Sequence, residues 1–330
     1  MEKTVTLVNG REVQLTNLDK VFWPEGYTKA HLVRYYMDIA PVIIPHLRNR
    51  PLVMKRYPDG INGQSFYQKE CPEYAPDWIE TFPICHTEKV VNYIVCNDAA
   101  TLAWLANQAC IEVHAWLSVL DNIDCPDIAV MDLDPAEGAT FDDVMDIALL
   151  CRRALEEYGL VPFAKTSGAS GLHIFIPIKS EYPFQVVTMA MQHIAELIAR
   201  VYPRKATVER AVAKRAGRVY LDYLQNGRGK TMAFQYSLRP LPGAPVSTPL
   251  LWEEIEKKQV KPTSFNIITV FRRLEKYGDL LRDMPGNSRS ISGILSAAGY
   301  NKNKIFSPVQ ENRRQPPNVH HVHMEDVTGK

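Results

Sequence analysis

Two short segments in the middle of the chain combine residues able to bind metal ions and phosphates. In the first, residues 128–135, two carboxylates interrupt an apolar run as Asp132 and Asp134. In a β-strand, residues two apart point the same way, so both carboxylates project together while Met131 and Leu133 face the opposite layer. Like charges this close repel each other, and a bound divalent cation relieves the repulsion. The segment therefore predicts a metal site on one face of a strand.

The second segment is a polar turn that leads into another strand. Residues 166–171 read Thr-Ser-Gly-Ala-Ser-Gly, and the apolar strand after them carries His173. Hydroxyl groups, backbone N–H groups and an imidazole can all donate hydrogen bonds to an anion. A third strand-like segment, 217–223, contains a single carboxylate, Asp222, among apolar neighbours. A carboxylate pair, an anion-binding turn with a histidine and a lone carboxylate thus follow one another along the chain.

The elements that must position these residues form a mixed α and β pattern. Thr140 can cap an amphipathic helix that ends at Gly159, between the carboxylate strand and the next strand. This strand–helix–strand order supports a mixed sheet. A second long helix is predicted from Pro183 to Val201, with its proline in the first turn. Near the N terminus, Asn9-Gly10 between alternating apolar and polar residues predicts a β-hairpin.

The composition is that of a folded protein whose basic surface must be local. The chain has 330 residues, of which 46% are hydrophobic and 23% charged, and its net charge is +1. These values are ordinary for a globular protein and give no global argument for nucleic acid binding. Between Arg204 and Arg239, however, nine lysines and arginines face only Glu209 and Asp222. This segment predicts a region that binds a polyanion.

Cysteine use and hydropathy indicate the compartment. The six cysteines include no Cys-x-x-Cys pair, and several lie in apolar periodic segments, as reduced thiols of cytosolic proteins do. No signal peptide is evident, and no apolar run reaches the ~18 residues that span a membrane. We therefore expect a cytoplasmic protein with no membrane partner.

The motifs, taken together, resemble a known family. Asp-x-Asp, then Ser-Gly-x-x-Gly-x-His, then a lone Asp resembles the three motifs of the archaeo-eukaryotic primase superfamily. Between residues 15 and 279, further short motifs resemble the polymerase domain of bacterial ligase D. These motifs are residues 19–24, 55–60, 66–69, 166–173, 222–226 and 236–239. The resemblance implies an α+β (mixed α/β) primase-polymerase fold, with central mixed and antiparallel sheets and an RRM-like catalytic module flanked by helices. It also implies one catalytic domain of two intimately packed modules at 1–285, and a C-terminal extension at 286–330 with a flexible tail.

For the active site, the resemblance implies two-metal catalysis with a nucleoside triphosphate as substrate. Two ions can neutralise both the attacking and the leaving oxygen, and oxygen ligands select Mn²⁺ or Mg²⁺ over zinc. The expected catalytic and metal-binding residues are Asp132, Asp134 and Asp222. The expected nucleotide-binding residues are Lys55, Ser167, Gly168, Ser170, His173, Gln225 and Arg239. Ser170 stands where many relatives have a lysine, which leaves weaker triphosphate binding, or compensation by Lys165 or Lys214, as alternatives.

The resemblance also implies contacts to DNA. Lys20 and Lys29, at the entry of a helix that Thr28 can cap, match lysines that bind the 5′-phosphate beyond a gap. The helix N-terminus would add backbone donors for that phosphate, and the helix pattern is interrupted near Pro41. Phe66 matches an aromatic residue that stacks on the template base. The full set of expected DNA-binding residues is Lys20, Lys29, Phe66, His114, Lys214 and Arg215.

Three functions are compatible with these motifs. The first is a template-dependent DNA or RNA polymerase that fills gaps and extends 3′ ends at double-strand breaks in non-homologous end joining. Its relatives favour ribonucleotides, and here it would be a free-standing chain working with Ku and a separate ATP-dependent DNA ligase. The second is a DNA-end bridging module with a vestigial site, which the intact carboxylates and His173 argue against. The third is a metal-dependent phosphodiesterase, although the Ser-Gly-x-x-Gly-x-His turn favours a triphosphate. The first explains all the motifs together.

Overall fold

The computed structural model describes residues 3–300. Its strands are β1 (Lys3–Val8), β2 (Arg11–Thr16), β3 (Pro51–Arg56), β4 (Phe66–Gln68), β5 (Thr81–Cys85), β6 (Val90–Val95), β7 (Cys110–Trp116), β8 (Ile128–Pro135), β9 (Phe163–Thr166), β10 (Leu172–Pro177), β11 (Ala206–Thr207), β12 (Val219–Asp222) and β13 (Thr231–Ala233). Its helices are α1 (Lys29–Leu47), α2 (Ala99–Asn107), α3 (Phe141–Glu157), α4 (Phe184–Val201), α5 (Trp252–Glu256), α6 (Thr269–Tyr277) and α7 (Ser292–Ala297). The expected flexible tail lies outside the described residues.

The carboxylate strand β8 belongs to a five-stranded sheet with the order β11-β12-β8-β10-β9. Within it, β12, β8, β10 and β9 pair antiparallel, and β11 lies parallel to β12 at the edge. Along the chain, β8, α3, β9, β10, α4 and β12 therefore form a split β-α-β-β-α-β unit, which is the RRM-like arrangement. The expected α+β class and RRM-like catalytic module are confirmed.

The two faces of β8 pack against different layers. Met131 and Leu133 are fully buried in an apolar cluster that they share with α3 and α4. Ile128 and Val130 point the other way and join the core of a second, separate sheet. Since side chains alternate along a strand, the two aspartates continue this second face beyond the point where its apolar residues end. The carboxylates therefore lie between the two sheets.

The second sheet carries two of the expected DNA-contacting residues, Phe66 on β4 and His114 on β7. Its strand order is β13-β7-β3-β6-β5, with β4 paired to β3.

Helix α1 is not interrupted near Pro41, contrary to expectation. It runs unbroken through both Pro41 and Pro45. A proline inside a helix costs ~3 kcal/mol or more. Each large apolar side chain that becomes buried contributes ~1.5–3 kcal/mol, and α1 buries several fully, including Ile39 and Ile43.

Local signals elsewhere give the expected elements. Asn9 and Gly10 have φ of 49° and 77°, which is the backbone that a tight β1–β2 hairpin needs. Oγ1 of Thr140 accepts a hydrogen bond from the backbone N–H of Asp143 at 3.2 Å and so caps α3. The chain leaves that helix at Gly159, where φ is 72°.

Residues 286–300 pack on the catalytic module. Helix α7 contributes Ile294 and Leu295 to the same apolar cluster as α3 and α4, and Arg289 pairs with Ile178 in a short parallel bridge. In the part of the chain that the structure describes, no helix is both long and apolar enough to cross a membrane.

Candidate active site

Three carboxylates lie together on two neighbouring strands. Asp132 and Asp134 are on β8, and Asp222 lies directly opposite Asp132 on β12. Burial, followed by the charges of Asp134 and Asp222, raises the pKa of Asp132 well above its usual value. Burial and Asp222 likewise raise the pKa of Asp134. The cluster is thus a region of uncompensated negative charge, and a cation would stabilise it.

The donor set fits Mn²⁺ or Mg²⁺, although the three carboxylates do not yet converge. Oδ1 of Asp132 is buried without a hydrogen-bond donor, and a buried carboxylate oxygen needs such a partner or a cation. Asp222 accepts hydrogen bonds from the Leu224 backbone N–H at 3.0 Å and from Nε2 of Gln225 at 3.1 Å. As the side chains stand, no three carboxylate, histidine or cysteine residues within 3–300 are grouped closely enough to hold one ion. Asp222 is thus the carboxylate of the set whose oxygens accept hydrogen bonds from protein donors.

The turn 166–171 uses part of its donor capacity internally. The backbone N–H groups of Ala169 and Gly171 donate to Oγ of Ser167 at 3.1 and 3.0 Å. The Ser167 hydroxyl keeps its own proton for a further acceptor. Ser170 is exposed at the tip of the turn and lines the cavity in front of the carboxylates. The turn thus offers fewer free donors to an anion than its sequence suggests.

Two glycines of this turn are required by close contacts. Gly168 has φ of +72°, and a Cβ there would lie 2.7 Å from Cγ of Arg239. A Cβ at Gly171 would lie 2.1 Å from the carbonyl oxygen of Leu133. Contacts this short exclude any side chain, so the glycines let the turn lie against β8 and Arg239.

His173 faces the carboxylates and is neutral. Its Nε2 lies 3.4 Å from Oδ1 of Asp132, and its Nδ1 shares a 2.8 Å hydrogen bond with Nζ of Lys165. Burial, then the charge of Lys165, lowers the pKa of His173 well below its usual value. Lys165 is fully buried and also donates to Ala233 O and Ser247 Oγ. The expected compensation for Ser170 by Lys165 is therefore wrong, because the ammonium group is enclosed by protein acceptors.

One cavity of about 260 Å³ collects most of these side chains. The expected residues that line it are Asp132, Asp134, Ser167, Ser170, His173, Gln225, Arg239 and His114. Asp222, Gly168 and Lys55 are not in this lining. Each instead contacts a lining residue: Asp222 contacts Gln225, Gly168 contacts Arg239, and the Lys55 ammonium lies 5.2 Å from the centre of the Tyr67 ring.

Sequence reasoning missed Glu112, the shared partner of two expected nucleotide-binding residues. Its carboxylate lies 2.8 Å from Nε of Arg239 and 3.1 Å from Nζ of Lys55. The sequence does contain a pattern that could have indicated Glu112. Glu112 and His114 are two apart in the otherwise apolar strand β7 and so share a face. His114 has no hydrogen-bond partner on either ring nitrogen within residues 3–300, and it meets Tyr67 edge-on at 5.5 Å.

A second cavity, also of about 260 Å³, contains the two expected 5′-phosphate lysines. Lys20, Lys29 and Arg56 all line it. Nζ of Lys20 lies 2.5 Å from Oδ1 of Asp59. Burial, then the charges of Arg56 and Lys20, lowers the pKa of Lys29 to about 8. Arg56 was missed from the sequence, where it reads as the end of a buried strand.

The N-terminus of α1 does not provide the expected backbone donors. The N–H of Lys29 donates to the carbonyl oxygen of Lys20 at 2.8 Å, and that of Ala30 donates to Leu18 at 2.9 Å. The chain before the helix folds back over its first turn and uses these groups. The expectation of helix amides for the phosphate is wrong, so an anion in this pocket would have to be bound by its side chains.

Phe66 lies beside this pocket and is 45% exposed. The guanidinium of Arg56 lies 5.4 Å from the centre of its ring. The same guanidinium donates to the carbonyl oxygen of Gln108 and to Oε1 of Gln68, both at 2.7 Å. Arg56 thus joins the lysine pocket to an exposed aromatic ring that is free to stack on a base.

The basic segment between Arg204 and Arg239 is partly neutralised by acidic residues that are distant in sequence. Arg228 pairs with Asp124 at 2.8 Å, and Lys205 pairs with Asp143 at 2.9 Å. Arg215 packs over the Tyr220 ring and donates to two backbone carbonyl oxygens of its own loop, and its charge lowers the pKa of Asp134 against the effect of burial. Lys214 is exposed and does not line the cavity, so it does not compensate for Ser170 in this arrangement.

Residues 28–281 match the family model described as LigD, primase-polymerase domain. The chain belongs to this family. The LigD primase-polymerase match covers α1, both sheets and every site residue discussed above except Lys20. The recognition made from the sequence motifs is confirmed.

Characterised relatives and a solved structure agree with this assignment. The chain is 34% identical over 279 residues to the multifunctional non-homologous end joining protein LigD of Mycolicibacterium smegmatis, covering 84% of this chain and 36% of the relative. It is 34% identical over 288 residues to the bifunctional protein LigD of Bacillus subtilis, covering 86% and 46%. The chain thus spans less than half of these relatives. The polymerase domain from Mycobacterium tuberculosis Ligase D in complex with DNA superimposes with a TM-score of 0.78 at 31% identity, over 84% of this chain and 99% of that one.

Proposed function

We propose that this LigD-type chain is a template-dependent DNA or RNA polymerase that fills gaps and extends 3′ ends in non-homologous end joining. The observation that carries the proposal is a single cavity in which Asp132 and Asp134 face the turn 166–171 and Arg239. Nucleotidyl transfer from a triphosphate needs a divalent-ion site beside a phosphate-binding group of this kind. Family membership supports the same chemistry.

The side chains divide the work by their chemistry. Asp132, Asp134 and Asp222 would hold two Mn²⁺ or Mg²⁺ ions, which would neutralise the attacking and leaving oxygens. Arg239, Lys55 and the donors of the turn orient the triphosphate. His173 directs Nε2 into the cavity because Lys165 occupies its other nitrogen. Gln225 lines the same cavity and would contact the nucleotide there.

The DNA is held at a separate place on the second sheet. The pocket of Lys20, Lys29 and Arg56 binds the 5′-phosphate beyond the gap, and Phe66 stacks on the template base. The solved relative is a complex with DNA. We extend the proposal to a preference for ribonucleotides, and to Ku and a separate ATP-dependent ligase as partners at broken DNA ends near the nucleoid. The curated relatives are named as end-joining proteins, which supports this context.

Primer extension tests the proposal. A gapped, 5′-phosphorylated duplex is incubated with ribo- or deoxynucleoside triphosphates and with Mn²⁺, Mg²⁺ or a chelator. We expect extension with either ion, more efficient use of ribonucleotides, and no product with the chelator. Shortening of the primer without extension would instead support a phosphodiesterase.

His173→Ala is expected to raise the KM for the nucleotide by about tenfold or more, because a buried donor to the triphosphate is lost. DNA affinity should change little, since His173 does not line the lysine pocket. His46→Ala is the matched control, as His46 is also a buried histidine that contacts an aspartate, Asp279, outside the cavity. An unchanged nucleotide KM in His173→Ala would assign the imidazole to the core instead.

The preference for a 5′-phosphate is expected to fall as pH rises above about 8. The pKa of Lys29 is lowered to about 8 in the free protein by burial, then by Arg56 and Lys20. A bound phosphate favours the charged ammonium and raises this pKa. The contribution of Lys29 to phosphate affinity is therefore complete below pH 8. Above pH 8 this contribution declines by at most about tenfold per pH unit, until the pH reaches the raised pKa of Lys29 in the complex.

The measurement is the ratio of Kd values for gapped duplexes with a 5′-hydroxyl and a 5′-phosphate, between pH 7 and 9.5 at constant salt. Below pH 7 the phosphate itself begins to gain a proton, so that range is avoided. Lys29→Arg is the control, because a guanidinium stays charged and should make the ratio independent of pH. A flat ratio in the wild type would show that Lys29 does not bind the phosphate as an ammonium.

A further inference from the structure

A buried carboxylate beside the nucleotide cavity has no part in the chemistry proposed above. Glu112 lies in the middle of β7 and is 1% exposed. An ionised carboxylate at such a position is costly unless cations or hydrogen-bond donors surround it. Its partners come from two separate parts of the chain, residues 55–57 and Arg239, so its position depends on the assembled fold.

The two carboxylate oxygens of Glu112 have different partners. Oε1 lies 2.8 Å from Nε of Arg239. Oε2 accepts a hydrogen bond from the hydroxyl of Tyr57 at 2.9 Å and lies 3.1 Å from Nζ of Lys55. Lys55 and Glu112 are directly opposite each other on the paired strands β3 and β7. One carboxylate therefore holds two cations that approach from different directions.

The charge state of Glu112 agrees with this arrangement. Burial alone would raise its pKa, but His114, Arg239 and Lys55 outweigh burial and lower the pKa to about 2. Nε2 of His114 lies 3.9 Å away, which is beyond hydrogen-bonding distance. Arg239 and Lys55 are thus the cations that directly contact the carboxylate.

Arg239 connects Glu112 to the catalytic sheet. Its Nη1 donates to the carbonyl oxygen of Ser167 at 3.0 Å, while its Nε lies against Glu112. Its Cγ lies where a side chain on Gly168 would otherwise be. The arginine therefore lies between an ion pair with Glu112 of the second sheet and a hydrogen bond to the anion-binding turn.

We propose that Glu112 is a positioning residue that holds Lys55 and Arg239 in the geometry required to bind the triphosphate. The inference rests on the proposed function, since it assumes that both cations contact the nucleotide. Without the carboxylate, two long cationic side chains would repel each other and gain rotamer freedom, which must be lost again on binding. Glu112 itself does not touch the substrate.

A purely electrostatic role gives the opposite expectation. Removing a negative charge beside the site makes its potential more positive, which by itself should attract a triphosphate more strongly. Glu112→Gln keeps the size of the side chain but removes its charge, so the sign of the effect separates the two explanations. Positioning predicts a higher KM for the nucleotide, and electrostatic attraction alone predicts a lower one.

The test measures kcat and KM for the nucleotide, DNA affinity and Tm in the wild type and Glu112→Gln. We expect KM to rise by about ten- to a hundredfold, the factor for a lost charge-assisted contact, with a smaller change in kcat and unchanged DNA affinity. Glu254→Gln is the matched control: its half-buried carboxylate also pairs with a buried arginine, Arg273, and does not line the cavity. It should lower Tm without changing KM.

A second variant keeps the test decisive if Glu112→Gln does not fold. Glu112→Asp retains the charge but withdraws it by one methylene, so it cannot reach Lys55 and Arg239 together, and we expect an intermediate rise in KM. An unchanged or lower KM in whichever variants fold would overturn the proposal, as would an equal rise in Glu254→Gln. Absence of extension by the wild type would instead contradict the proposed function, so the two failures are distinguishable.

Discussion

Asp132→Ala is expected to abolish nucleotide incorporation while leaving DNA binding intact. The carboxylate is the most buried of the three, and one of its oxygens has no hydrogen-bond donor. Loss of several kcal/mol of transition-state charge stabilisation lowers the rate by about a thousandfold or more. The 5′-phosphate pocket is a separate cavity, so the Kd for gapped DNA should stay within about threefold of the wild type. Asp134→Ala and Asp222→Ala should behave similarly.

The same variant should be at least as thermally stable as the wild type in the absence of metal. Burial and the neighbouring carboxylates raise the pKa of Asp132, which means that its charge destabilises the folded protein. Removing that charge relieves the repulsion, although the lost packing offsets part of the gain. Added Mn²⁺ should raise the Tm of the wild type but not that of Asp132→Ala.

Asp283→Ala serves as the control for Asp132→Ala, because Asp283 is exposed and lies outside the cavity. It should change neither extension nor the stabilisation by Mn²⁺. Extension by Asp132→Ala at the wild-type rate would contradict the metal assignment. A Tm that rises with Mn²⁺ equally in both proteins would place the ion elsewhere.

Lys20→Ala combined with Lys29→Ala is expected to weaken binding of 5′-phosphorylated gaps by about tenfold or more. Each lysine can make a charge-assisted contact of roughly 1.5–3 kcal/mol with the phosphate. Since the first amides of α1 are already bonded, these side chains and Arg56 are the cationic donors that line the pocket. Arg56 remains in the double variant, so we expect a reduced preference for the phosphate rather than a complete loss.

Fluorescence anisotropy on duplexes that differ only in the 5′-phosphate measures this effect, at one salt concentration because phosphate contacts depend on salt. The variant pair Lys257→Ala with Lys261→Ala removes the same charge from exposed positions outside the pocket. It should weaken both duplexes slightly and equally. If the Lys20 and Lys29 variant also weakens both duplexes equally, those lysines are part of a general basic surface.

The features predicted correctly from the sequence depend on local patterns. Alternation along β8 places Asp132 and Asp134 on one face, and that face is fixed because Met131 and Leu133 must be buried on the other. The start of α3 follows from the hydrogen bond that the Thr140 side chain accepts. The end of α3 at Gly159 and the hairpin at Asn9 follow from positive φ angles that few residues adopt. Such signals need no knowledge of the rest of the fold.

The errors come from contacts between residues that are distant in the chain. Pro41 does not break α1, because burial of side chains on other faces of that helix outweighs the cost of the proline. The amides of α1 are used by the preceding segment, and Lys165 is enclosed by β13 and by Ser247. Glu112 and Arg56 meet their partners only in the assembled fold, because those partners come from other parts of the chain.

The most direct test of the polymerase assignment is whether the template chooses the nucleotide. Four duplexes with a one-nucleotide gap and a 5′-phosphate differ only in the base opposite the gap, and each is incubated with Mn²⁺ and one nucleoside triphosphate at a time. We expect the wild type to add the complementary nucleotide in each case and Asp132→Ala to add none. Addition that ignores the template base, or removal of nucleotides from the primer, would contradict it.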